Sequence, residues 1–473
     1  MPHRTVLCVA LIAVMALVAG CVQSPPANAT PGTTPAVTAL ATQSAAPATS
    51  ADLITFVHRA ASSARDHGRE TALAAVTAGN GPFVAGDVYI FAVDYNGTLL
   101  ADSAEPERIG TNISTLADAF GVPVGKRLGE TARFGIGLVS YDRPGAENGS
   151  AAEPALAVVE DVDGAYYVAA GFSASGGDVF PSLVMNTTGP KSDLVDLVDF
   201  VKGAVAYARE NGKEKAVATF NDPQGGFARG ELAVMALDYN GTALASPPYA
   251  PEVAANRVNL LNYNDPDGVG TIRGMRDLAR SGGGFLYTVA KVTVNGSDVL
   301  VPKINYAEPI DDTWWLFAGV VDPAYAQVAA GNLTGISRRQ HSRAELHALV
   351  SRAVDDARTN GTARALAAID DPAGPFVDGD LFVWAEGTNG TVLADPFWKE
   401  GIGQNYLDVT DENGVKTTRV GMDAMRNGTG FSHALFQETA SNGTALVPKL
   451  VYMKAVDDAW WIGGGVYGVA VTG

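Results

Sequence analysis

Apolar residues recur at three- and four-residue intervals in three places along the chain. They are Leu53, Phe56, Val57, Ala60 and Ala64; Leu194, Leu197, Val198, Val201 and Val205; and Leu346, Leu349, Val350, Ala353, Val354 and Ala357. At 3.6 residues per turn this spacing lines one helical face, so each stretch is predicted to be an amphipathic helix. Behind each helix the pattern changes to short apolar runs on either side of an Asn-Gly pair. The three copies read Asp94-Tyr95-Asn96-Gly97-Thr98, Asp238-Tyr239-Asn240-Gly241-Thr242 and Gly387-Thr388-Asn389-Gly390-Thr391. Asn-Gly accepts the positive φ angles of a tight hairpin turn, so a strand, a turn and a second strand are predicted in each copy. A loop and a shorter helix follow, for example Thr271 to Arg280. Three more strands close the unit; in the second copy they lie around 284–289, 299–307 and 314–320.

The landmarks keep a nearly constant interval. Gly97, Gly241 and Gly390 are 144 and 149 residues apart, and the aromatic pairs Tyr166-Tyr167, Trp314-Trp315 and Trp460-Trp461 are 148 and 146 apart. A Gly-x-Phe precedes each hairpin, at Gly81-Pro82-Phe83, Gly225-Gly226-Phe227 and Gly374-Pro375-Phe376. Several independent landmarks on one period mean three copies of one module. One long helix against an antiparallel sheet of about five strands is an α+β plan. The expected modules span 51–174, 190–325 and 341–470, the first being the most divergent.

The ordered set Gly-Asp-Leu-Phe-Val, Asn-Gly-Thr, Pro-Lys-x-x-Tyr and Val-Asp-Asp-x-Trp-Trp-x-x-x-Gly-Val resembles the Cache domain, single-Cache type. It is clearest from Phe376 to Tyr467 and nearly as clear from Phe227 to Val321. The resemblance implies PAS-like modules with a long N-terminal helix that bind small molecules outside the cell, often carboxylates or amino acids, in chemoreceptors or sensor kinases. Unlike those contexts, no transmitter domain is expected here.

The N-terminus adds a location. Val6 to Gly20 is an apolar run of 15 residues behind Arg4, and it ends Leu17-Val18-Ala19-Gly20-Cys21. A bilayer span needs about 20 residues, so this is read as a signal-peptide core with a lipobox, residues 1–21, and Cys21 as the lipidated residue. Val22 to Ser50, rich in Ala, Thr, Pro and Ser and without charge, is read as a disordered tether. Twelve Asn-x-Ser/Thr triplets suggest a glycosylated outer surface. The expected place is therefore the outer face of the cytoplasmic membrane, held by lipid alone, with a transmembrane receptor or transporter as a separate partner.

Lys and Arg number 33 and Asp and Glu 51, a net charge of -18, which argues against nucleic acid as a partner. The two cysteines, Cys8 and Cys21, exclude a disulfide framework. Gly463 to Gly468 formally fits GxGxxG, but five following residues leave no room for a phosphate-cradling helix. Asp265-Pro266-Asp267-Gly268 fails as a calcium loop, since positions one and twelve would be Tyr263 and Gly274. The six histidines show no paired-ligand spacing. No enzyme activity, metal or cofactor is expected.

Binding candidates are the cations repeated at fixed module positions. Aligning Gly137, Gly284 and Gly430 superposes Lys126, Arg273 and Arg419, read equally as anion binders or as helix-end and surface-pair charges. Arg133, Arg280 and Arg426 are read as helix-end charges. Lys303 and Lys449 open an apolar strand, with Tyr306 and Tyr452 three residues on. A buried Lys must meet an acid, a ligand or water, and in the family polar residues of this strand can face the ligand pocket. The first module has Ala155 and Val158 there. Phe382 and Trp384 share a strand face, and Asp395 follows the second hairpin strand, with core packing and turn formation as the competing readings. The expected ligand is a small anionic metabolite such as an organic acid or amino acid. A structural or adhesive glycoprotein using the modules as spacers is the alternative, and pocket polarity discriminates the two.

Overall fold

The computed structural model describes residues 46–144, 152–173, 192–229, 232–248, 250–294, 297–321, 339–437 and 446–468. Cys8, Cys21, most of the tether and the triplets at Asn28, Asn148, Asn186, Asn295, Asn332 and Asn442 lie outside the described residues.

Each of three units opens with an 18-residue helix: α1 (Ser50–His67), α4 (Leu194–Asn211) and α8 (Arg343–Asn360). All three begin with a reciprocal capping box, Thr49 with Asp52, Asp193 with Asp196 and Ser342 with Glu345. Such a cap satisfies backbone N–H groups that the first turn leaves unpaired, a contribution of about 1 kcal/mol. The single helix expected here is in fact a pair. A glycine at φ +80°, +78° and +84° (Gly68, Gly212, Gly361) breaks it, and a short helix follows: α2 (Arg69–Thr77), α5 (Lys213–Phe220) and α9 (Thr362–Asp370). Only glycine takes this conformation without strain.

The strands repeat one topology. In the first unit β1 (Val84–Ala85) and β2 (Val88–Tyr89) form a ribbon, followed by β3 (Phe91–Asp94), β4 (Leu99–Asp102), β5 (Ile136–Arg143), β6 (Glu153–Asp161) and β7 (Tyr166–Ser173). Their order is β4-β3-β7-β6-β5. In the second, β8 (Ala228–Arg229) and β9 (Leu232–Ala233) form the ribbon. The sheet there is built from β10 (Met235–Asp238), β11 (Ala243–Ala245), β13 (Gly284–Val294), β14 (Ser297–Pro309) and β15 (Trp314–Val321), in the order β11-β10-β15-β14-β13. In the third, β16 (Val377–Asp378) and β18 (Val392–Ala394) both pair with β17 (Leu381–Gly387). The sheet continues through β21 (Trp460–Tyr467) and β20 (Leu446–Ala455) to β19 (Phe431–Gln437). The long helices cover one face of each sheet. The other face meets α3 (Val124–Ala132), α7 (Thr271–Arg280) or α10 (Thr417–Asn427).

The first sheet departs from a purely antiparallel plan. Its edge strand β5 takes a sixth, parallel strand from the second unit, β12 (Asn259–Asn262), with Asn259 opposite Gly137 and Asn262 opposite Val139. A side chain at Gly137 would collide with the Asn259 carbonyl at 2.9 Å. The units interlock further through one recurrent turn, Asp-x-x-Gly-Val, at Asp118, Asp265 and Asp411. Each Asp Oδ1 accepts the N–H groups two and four residues on. These turns reach into neighbouring units. Phe120 packs on His347 and Phe431, His433 Nε2 lies 3.2 Å from Asp265 Oδ2, and Tyr287 donates to Asp411 Oδ2 at 2.8 Å. Arg339 and Asp267 form a buried bidentate pair at the same junction, and Arg343 pairs with Asp142. Asp267 is held below the usual carboxylate range: burial opposes ionisation, and the Arg339 guanidinium more than offsets it.

Candidate functional site

On the sheet face of the third unit away from α8 is a cavity of about 620 Å³. Its floor is laid by alternation along β17. Phe382, Trp384 and Glu386 are two residues apart, so all three point the same way. Lys449 enters from β20 and Tyr467, its register partner, from β21. Asp395 lies past β18, and Trp398 and Tyr406 stand at the rim with ring centroids 4.8 Å apart.

Lys449 is the chemical centre of this cavity. It is 5 % exposed, and its Nζ lies 4.5 Å from the ring centroid of Tyr467, 4.9 Å from Phe382, 5.1 Å from Trp384 and 5.5 Å from Phe436. Four aromatic faces stabilise a cation through their quadrupoles without neutralising it. Burial pulls the ammonium pKa down to about 8, while the charges of Asp395 and Asp380 act to raise it. No carboxylate forms a salt bridge with Lys449 among the described residues. Asp395 Oδ1 is engaged locally, accepting the N–H groups of Phe397 and Trp398 at 2.9 Å. Asp395 thus forms a turn and lines the cavity at once.

Three consecutive glycines on β21 make room for the site. An ideal Cβ on Gly463 would stand 2.9 Å from the Trp384 ring, one on Gly465 2.4 Å from Lys449 Cε, and one on Gly464, facing the other way, 2.8 Å from Val350 on α8. The run that mimics a phosphate loop is therefore a packing device for the lysine, the indole and the helix.

The second unit has a smaller cavity of about 170 Å³ around Lys303, with Asn305, Thr288 and Lys291. Here Ala233 and Met235 stand where the third unit has Phe382 and Trp384, and Ser246 stands for Asp395, so the aromatic cage is absent. In the first unit the same face is packed: Val93, Leu99, Leu128 and Tyr167 form an apolar cluster, with Phe91 and Tyr141 against it. Tyr141 occupies the place of Ala434, whose small side chain leaves the third cavity open.

The remaining candidates are placed elsewhere. Tyr306 and Tyr452 lie on the opposite sheet face from Lys303 and Lys449, because residues three apart on a strand point to opposite sides. Tyr306 packs on Phe285 at 4.7 Å, and Tyr452 on Phe431 and His347, each at 4.8 Å. Arg273 is at the junction between units, donating to Asn262 Oδ1 at 2.5 Å. Arg419 is half-exposed and pairs with Asp408 at 2.8 Å, and Lys126 pairs with Glu130 at 3.6 Å on the surface. Arg133 and Arg280 lie over Tyr95 and Tyr239. Of the repeated cations, Lys126 and Arg419 thus make surface pairs, Arg133 and Arg280 cover tyrosine rings of their own units, and Arg273 stands near Gly428 and Phe431 of the third unit. Glu386 is the cavity residue that the repeat pattern passed over, although a carboxyl where the sister strands carry Val93 and Leu237 is a visible signal.

The chain belongs to a Cache family: the model of Single Cache domain 2 matches residues 58–168 and 318–471. Domains of this family are ligand-binding sensory modules. Among solved structures, a methyl-accepting chemotaxis protein from Vibrio parahaemolyticus RIMD 2210633 is 25% identical over 26% of this chain and 86% of its own, with a TM-score of 0.24. A Cache chemosensory domain described for carboxylic acid recognition is 20% identical over 26% and 81%, TM-score 0.20. The ligand-binding domain of the Pseudomonas aeruginosa PAO1 amino acid chemoreceptor PctB with L-Arg is 14% identical over 57% and 79%, TM-score 0.17. No curated protein matches the chain. No helix among the described residues is long and apolar enough to cross a membrane. Nor, among them, does any group of three or more His, Cys, Asp or Glu stand ready to hold a metal ion.

Proposed function

We propose that the protein is a cell-surface sensory or solute-binding lipoprotein that takes a small anionic metabolite, an organic acid or amino acid, into the cavity of its third unit. The observation that carries this reading is Lys449: a buried ammonium, caged by aromatic rings, facing 620 Å³ of open space and lacking a carboxylate partner among the described residues. A carboxylate supplies the missing countercharge, and the aromatic walls exclude water from the pair. A spacer would need neither the cavity nor the cation.

In this reading the middle unit is a third Cache copy with a reduced site at Lys303, and the first, packed across that face, is a scaffold. Its common strand order with the two matched units supports the middle assignment. Lipidation at Cys21 tethers the chain to the outer membrane face, glycans cover its surface, and a separate transmembrane partner carries the signal inward.

A thermal-shift screen of organic acids and amino acids on the mature protein tests the binding reading. Stabilisation by at least one of them, abolished in K449M and retained in K303M, is expected, because a ligand specific for the native state raises its stability. No stabilisation by any of them would defeat the reading.

A further inference from the structure

Glu386 poses a problem that the cation does not solve. It is 6 % exposed, its Oε1 accepts from Trp384 Nε1 at 3.1 Å, and its Oε2 meets no hydrogen-bond partner among the described residues. The corresponding positions in the other two units, Val93 and Leu237, are aliphatic and fully buried, so the fold does not require a carboxyl here. A buried polar atom without a partner is destabilising, and more so when it is charged. That cost is intelligible where a ligand supplies the missing bond, and Glu386 lines the cavity. Opposite it on β21 stands Trp461, whose Nε1 is also buried with no acceptor among the described residues.

The protonation state decides what kind of ligand atom fits. Burial pushes the Glu386 carboxyl up to about 8; the Trp384 hydrogen bond acts to lower it, and the charge of Asp395 to raise it further. The other titratable groups on the cavity wall are Tyr406, Asp411, Glu412, Lys449 and Tyr467. A neutral carboxyl whose Oε1 already accepts has its proton on Oε2, which becomes a donor.

We propose that Glu386 is a specificity-determining residue, donating from Oε2 to an acceptor on the ligand, so that the site selects a carboxylate carrying a second acceptor such as a keto, hydroxyl or carboxyl oxygen. This rests on the reading of Lys449 as the carboxylate partner. The two groups act at different points of the ligand: Lys449 neutralises its charge, and Glu386 reads the second function.

The test has two arms on the mature full chain. In ligand-free protein with 13C-labelled Glu carboxyls, the resonance missing from E386Q stays at its protonated position at pH 7; an ionised position there overturns the proposal. In the second arm, pentanoate and 4-oxopentanoate, which differ by one ketone, are titrated by calorimetry. Wild type binds the keto acid about tenfold or more tighter, the equivalent of one buried hydrogen bond to an acceptor. E386Q keeps the preference, because an amide N–H also donates; E386L loses it while still binding pentanoate. A preference that survives in E386L, or vanishes in E386Q, overturns the proposal alone. Binding of both acids unchanged in K449M, or of neither in wild type, overturns the carboxylate reading and this proposal with it.

Discussion

Lys449 lies across Gly465: a Cβ on that glycine would stand 2.4 Å from Lys449 Cε and 3.1 Å from its Cδ and Cγ. The lysine stem is thus seated over the neighbouring strand, and its ammonium is delivered to the aromatic cage by the absence of a single methyl group. G465A is predicted to displace the side chain. Forced repacking of this kind costs about 1–3 kcal/mol, to be read from urea unfolding. The same variant is predicted to weaken binding of any acid that K449M abolishes.

Lys449 also predicts a pH dependence of stability. Its pKa falls from about 10.4 unfolded to about 8 folded. Between those values the unfolded state holds the extra proton, so stability rises with pH across that window. The cationic form below pH 8 therefore carries a cost on the order of 3 kcal/mol. Unfolding free energies of wild type and K449M at pH 7 and pH 10 check this: the wild type gains relative to the variant on going up. Parallel profiles would refute a perturbed lysine.

At the junction, Asp267 and Arg339 are both buried and paired. D267N leaves the guanidinium without its countercharge, and breaking a buried pair costs about 3–5 kcal/mol. Because the Asp267 pKa is depressed, its contribution is present above the unfolded carboxylate pKa and is lost as the pH falls through the folded value. Calorimetric scans are predicted to show wild type losing stability towards acid more steeply than D267N. They are also predicted to show the single transition of the interlocked units broadening or splitting in the variant.

Arg419 is predicted to be dispensable. It pairs with the exposed Asp408 outside the cavity, and exposed pairs contribute little. R419A should leave acid affinity within twofold of wild type by calorimetry. A large loss would place the anion site at the helix rather than at Lys449.

Much of this architecture was legible in the sequence because it is set by local rules. The hairpins turn at the Asn-Gly pairs, though with the glycine alone at positive φ (Gly97, Gly241 and Gly390), Thr271–Arg280 is the helix its spacing describes, and adjacent tryptophans divide between sheet faces. Trp460 packs on the helix side and Trp461 with Met422 and Met453. What escaped depends on groups far apart in the chain. The strand that β12 adds to the first sheet and the Asp265–His433 contact join units more than a hundred residues apart, which no local pattern encodes. Two further signals are local. Gly68, Gly212 and Gly361 recur at the hairpin intervals of 144 and 149 and split the helices. Gly171, Gly319 and Gly465 recur at 148 and 146, the interval of the aromatic pairs. Tyr452, three residues beyond Lys449, falls on the opposite sheet face by strand parity, and Arg273 and Arg419 recur in position without lining the cavity, whereas Glu386, which lines it, has no acidic counterpart at Val93 or Leu237.

Whether a ligand carboxylate closes the charge of Lys449 is decided by isothermal titration of the most stabilising acid into wild type and K449M at pH 7. A single site is expected in the wild type, with an affinity at least about tenfold weaker in the variant, the least that loss of a charge-assisted hydrogen bond implies. Equal affinities in the two proteins would contradict it.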